Sequence, residues 1–110
     1  AASDVYKRQE LWGRLVESSV GTHILNTTDN QHQVTCWRER TVEVDFVISG
    51  LSGLLAIEVK SGRRALALSG LTAFANHFSQ VTSCVVGTGG IPLDEFLSRP
   101  VSAWYSDLVK

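Results

Sequence analysis

What is missing from this sequence closes several classes of function. No apolar run approaches the roughly 20 residues that a membrane-spanning helix needs. No signal-peptide pattern is present either, so a cytoplasmic setting is expected. No G-x-x-x-x-G-K-[ST] string occurs, which excludes an ATP site of the phosphate-binding-loop kind; Gly87-Thr88-Gly89-Gly90 is glycine-rich but lacks the lysine and reads as a strand-ending turn. An excess of one charge sign is missing too. Lys and Arg number 10 against 11 Asp and Glu, leaving a net charge of −1, so no global positive field draws the chain to nucleic acid and only a local patch remains open. Cysteine is scarce: Cys36 and Cys84 stand far apart without metal-ligand spacing, and a buried pair of reduced thiols is the expected state.

What is present is enough for one folded domain. At 110 residues the chain has the usual domain size and buries on the order of 65% of its unfolded surface. The hydrophobic fraction of 44% argues against disorder. No repeat, linker or second domain is visible. Residues 1–9, AASDVYKRQ, resemble a translated adaptor or assembly junction of the kind found at the ends of metagenomic protein fragments, and are set apart from the fold, which is assigned to 10–110.

From Glu10 to about Leu25 the pattern is helical, with Trp12, Val16, Val20 and Ile24 recurring every four residues beside Leu11 and Leu15. Glu17 lies between Gly13 and Gly21, one turn away on either side, where small residues let another backbone approach. A polar loop follows over 26–33, and its His32, like His23 at the helix end, reads as a solvated or capping histidine. A strand is expected over 34–39, with Trp37 covering the sheet. Arg38 points either toward a phosphate or into a cross-strand pair with Glu43 or Asp45.

Two strand-like runs joined by Gly50-Leu51-Ser52-Gly53 then occupy Val42 to Lys60. Alternation puts Val42, Val44, Phe46 and Ile48 on one face and Glu43 and Asp45 on the other. In the second run Leu55, Ile57 and Val59 share a face, and Glu58 and Lys60 the opposite one. A hairpin of these runs brings Asp45, Glu58 and Lys60 together, either as the solvated face of an antiparallel sheet or as a site. After Lys60 come a turn with Arg63 and Arg64, a second amphipathic helix over 69–80, a short strand over 83–86 parallel to the one ending at Lys60, and a last short helix opened by Pro92. Residues 102–110 read as a tail, with Trp104 docking back on the core.

The string Cys36-Trp37-Arg38, Glu43-Val44-Asp45-Phe46 and Glu58-Val59-Lys60-Ser61-Gly62 resembles the PD-(D/E)xK nuclease signature. It is most similar to the C-terminal domain of unknown function carried by bacterial and archaeal AAA-type predicted ATPases. The resemblance spans about residues 10 to 105. It implies an α/β fold with a restriction-endonuclease-like three-layer core, a mixed sheet of about four strands flanked by helices in the order αβββαβ. It also implies catalytic positions at Glu17, Asp45, Glu58 and Lys60, with Glu10 as a weaker stand-in for Glu17. Asp45 and Glu58, with Glu17 binding through water or holding a second ion, would hold Mg²⁺ or Mn²⁺, and Lys60 would orient water or stabilise charge on the phosphate. Arg38, Arg63 and Arg64 are candidate nucleic-acid contacts, and an upstream ATPase is the expected partner. The function so implied is metal-dependent phosphodiester hydrolysis. The alternative is a non-catalytic, nuclease-fold binding or regulatory module of that ATPase, in which Lys60 neutralises the acids.

Overall fold

A computed structural model describes residues 2–62 and 69–110. Its elements run α1 (Ala2–Thr27), β1 (Gln33–Glu39), β2 (Val42–Gly50), β3 (Gly53–Lys60), α2 (Ser69–His77), β4 (Val81–Gly87), α3 (Leu93–Leu97) and α4 (Val101–Leu108). The αβββαβ order, the four-stranded mixed sheet and the helices on both faces are as expected. The strands lie in the order β1-β2-β3-β4, with β1–β2 and β2–β3 antiparallel and β3–β4 parallel.

Two apolar layers hold the sheet. On one face Val20 and Ile24 of α1, Phe96 of α3, and Val101, Trp104 and Tyr105 of α4 pack with Ile48, Leu55, Ile57 and Val86. On the other, Leu71 and Phe74 of α2 pack with Val44, Val47 and Ala56, and the Trp37 ring meets Phe74 edge-on at 5.3 Å. Trp37 therefore covers the sheet, as expected.

The face assignment of β2 needs correction. Val44 lies with α2, whereas Phe46 and Ile48 lie on the α1 side, so the four residues Val42, Val44, Phe46 and Ile48 do not share a face. The pairing explains why: Thr35 faces Val47 and Trp37 faces Val44, so two steps on β1 meet three on β2. The extra residue is a bulge at Asp45–Phe46, and a bulge reverses the alternation beyond it. Pattern reading assumes an unbroken period of two and cannot see this.

Smaller corrections follow the same logic. The helix begins at Ala2 rather than Glu10, so it takes in residues 2–9, the stretch that resembles an assembly junction. Residues 102–110 are no loose tail; Val101–Leu108 is a helix, and Trp104 does dock, its Nε1 donating to the Phe96 carbonyl at 3.0 Å. Cys84 is buried but Cys36 is exposed, because β1 is an edge strand. The second helix ends at His77, before Phe78. Tyr105 secures the β2–β3 turn by donating its hydroxyl to the Gly53 carbonyl at 2.7 Å and accepting the Ser52 N–H at 3.2 Å.

Candidate functional site

Asp45 owes its position to the bulge. The β2–β3 ladder runs from Gly50↔Gly53 to Phe46↔Ile57, and continuing the register would set Val59 opposite Val44. The bulge breaks that step, and the Asp45 Oδ2 accepts the Val59 N–H instead, at 2.8 Å. A side-chain carboxylate thus replaces a backbone carbonyl at the end of the ladder, which fixes its orientation.

Glu58 and Lys60 follow from β3 alone. Two residues apart on one strand, they share a side, and their charged ends sit 3.7 Å apart, with side chains only 13% and 16% exposed respectively. The Asp45 carboxylate is close enough for its charge to act on Glu58. Its pKa is raised to about 7, chiefly by burial and next by the Asp45 charge, with Lys60 opposing both. Asp45, Glu58 and Lys60 therefore form one half-buried cluster rather than a solvated row.

Glu17 approaches this cluster from α1 without joining it. It is exposed, and its pKa is raised by partial burial and then by the charges of Asp45 and Glu43. Among the described residues no three Asp, Glu, His or Cys side chains converge closely enough to hold an ion together. The glycines flanking Glu17 do what their spacing implied: a Cβ on Gly13 would stand 3.1 Å from Ser61 Oγ, and one on Gly21 3.0 Å from the Phe46 ring. Both allow α1 to lie close over the sheet.

The remaining candidates are placed as follows. Glu10 pairs with Arg14 at 2.7 Å on the exposed side of α1. Arg38 faces Glu43 across β1–β2 at 3.6 Å, the cross-strand pairing of the two orientations open to it. Arg63 and Arg64 lie outside the described residues. His23 meets the Arg99 carbonyl at 2.6 Å, and His32 meets Asp29 at 2.5 Å with its side chain only 10% exposed; both are structural, and His32 is more enclosed than a solvated histidine.

One part of the site escaped sequence reasoning. Arg14, Glu17, Ser18, Gly21 and Phe46 line an open groove of about 450 Å³ between α1 and β2. Arg14 and Ser18 were legible as neighbours of Glu17 on one helical face. Phe46 was not, because the bulge sets its direction.

A family model described as a domain of unknown function (DUF4143) matches residues 12–98. The chain belongs to that family. The match takes in Glu17, Asp45, Glu58 and Lys60 and ends ahead of α4. No curated protein and no solved structure matches the chain. The family description carries no activity, so the chemistry of the site rests on its own residues. None of the described helices is long and apolar enough to cross a membrane.

Proposed function

We propose that this domain is a divalent-cation-dependent phosphodiesterase of the nuclease type. Asp45 and Glu58 hold Mg²⁺ or Mn²⁺, Glu17 reaches the ion through water, and Lys60 serves the phosphate. The observation that carries this reading is a pair of confined acids: Asp45 is fixed on the Val59 N–H, and Glu58, 13% exposed, is held up at about 7 by burial and then by the Asp45 charge. Two acids held this closely keep a proton near neutral pH unless a cation takes its place. The donors are hard oxygens, and one or two protein carboxylates completed by water and substrate phosphate suit Mg²⁺. When bound, such an ion polarises a phosphodiester and acidifies water. The chain's own residues do the rest. The Val59 N–H orients Asp45, and Lys60 supplies a confined positive charge where negative charge develops on the phosphate. Arg63 and Arg64 are proposed backbone-phosphate contacts.

The resemblance of Asp45 and Glu58-Val59-Lys60 to the PD-(D/E)xK positions supports the same assignment. An ATPase on the same polypeptide and a cytoplasmic setting complete the reading.

A second reading has an observation of its own. The 3.7 Å approach of Lys60 to Glu58 and the net charge of −1 suit a non-catalytic module whose lysine neutralises the acids. Calorimetric titration separates the two. Wild type is expected to release or absorb heat with millimolar Mg²⁺ or Mn²⁺, and Asp45→Ala and Glu58→Ala to give none. Absence of heat with wild type leaves the non-catalytic module. Lys60→Ala is expected to keep the metal and lose cleavage; equal cleavage by both proteins means contamination and removes the catalytic claim.

A further inference from the structure

We infer that the groove between α1 and β2 is a binding site for single-stranded nucleic acid, with one base stacked on Phe46 and a flanking phosphate held by Arg14. The inference deepens the nuclease reading and rests on it for the position of the scissile phosphate. Three observations lead to it. First, the groove adjoins the acid pair covalently, since Phe46 follows Asp45 within the bulge and Glu17 lines the groove wall. Second, its lining joins an aromatic ring to a cation: Phe46 is only half-buried, and the Arg14 side chain, 74% exposed, is held only by an exposed pair with Glu10 at 2.7 Å, which a phosphate can displace. A π-face beside a positive charge is the combination that binds unpaired bases without reading their sequence.

Third, the groove is short. Gly21 sits against the Phe46 ring, so helix and strand close one end. Arg14 and Gly21 are seven residues apart on α1, on the order of 10 Å along its axis. That span suits one unpaired nucleotide and its flanking phosphate rather than a duplex, whose stacked bases offer no free face to Phe46.

The test is fluorescence anisotropy with labelled dT12, rU12 and a 12-base-pair duplex, in Ca²⁺ to prevent turnover, on wild type, Phe46→Leu and Arg14→Gln. Far-UV circular dichroism and calorimetric Mg²⁺ titration are run on each protein. Wild type is expected to prefer the single strands over the duplex, and Phe46→Leu to weaken them roughly 10- to 100-fold while keeping its Mg²⁺ heat. The comparison of dT12 with rU12 assigns the sugar. Should Phe46→Leu fail to fold, Arg14→Gln, at an exposed position, carries the test through several-fold weaker binding and a smaller salt dependence. Equal affinity for strand and duplex, or single-strand affinity unchanged in the folded variants, overturns the inference. If wild type takes no Mg²⁺ yet binds the single strands through Phe46 and Arg14, the catalytic reading falls and the groove assignment stands.

Discussion

Replacing Glu58 by glutamine tests the electrostatics of the site most directly. In the folded chain Glu58 is raised from 4.5 to about 7, so between those values the native state holds a proton that the unfolded state has released. A raised acid pKa favours folding below the unfolded value, and that advantage is lost as pH climbs through about 7. The full shift corresponds to about 3 kcal/mol. Solvent reaching the site and the coupling of its titration to Asp45 bring the expected effect to about 1–3 kcal/mol.

Glu58→Gln keeps the shape, gives Asp45 an amide donor in place of the shared proton, and removes the titration. The variant is therefore expected to be more stable than wild type at pH 8, and this lead is expected to shrink to about a quarter by pH 5 and to vanish only below the unfolded value of 4.5. The assay is urea unfolding at both values. Comparing the variant with wild type at each pH cancels the contributions of the histidines and other acids. With 10 mM Mg²⁺ at pH 8, wild type alone is expected to gain stability, by about 1.4 kcal/mol if its Kd is near 1 mM. A difference between the two proteins that does not change from pH 8 to pH 5 would refute the burial of an ionised Glu58.

Tyr105→Phe removes the hydroxyl that bridges Ser52 and Gly53 and is expected to cost about 1–2 kcal/mol, a fall in Tm of several degrees by calorimetry, without altering metal binding at the far end of the sheet. Gly87→Ala places a Cβ against the Lys60 carbonyl at a φ of 105°; loss of more than about 2 kcal/mol, or of soluble expression, is expected. Titration with a thiol reagent near pH 8 is expected to modify Cys36 quickly and Cys84 only on unfolding, because Cys84 is buried and its thiol is pushed up to about 11; two fast thiols in native protein would contradict the packing of β4.

Much of this domain was legible because its elements are locally coded. The four-residue recurrence of Trp12, Val16, Val20 and Ile24 predicts the buried face of α1. Val16, Val20 and Ile24 are buried, whereas Trp12 is 57% exposed and the neighbouring Leu11 and Leu15 are exposed with it, because the N-terminal half of α1 runs past the sheet. Gly50-Leu51-Ser52-Gly53 predicts the hairpin turn. The i, i+2 spacing of Glu58 and Lys60 predicts their shared side, observed at 3.7 Å. These features depend only on the periods of helix and strand and on turn chemistry. The C-terminal segment was harder: Val101–Leu108 is too short for periodicity to declare, and it is helical because Val101, Trp104 and Tyr105 find a core to cover.

The sequence by itself determined the order of elements, the hairpin, and which polar residues could meet on it. Only the tertiary structure decided how they meet. The bulge opposite Thr35–Trp37 sends Phe46 toward α1 and the Asp45 carboxylate onto the Val59 N–H. The docking of α1 leaves Glu17 on a groove wall rather than in contact with the acid pair. Alternation along a strand is a property of one segment, whereas a bulge and a helix seat are set by the fit between segments, and no single stretch of sequence contains that fit.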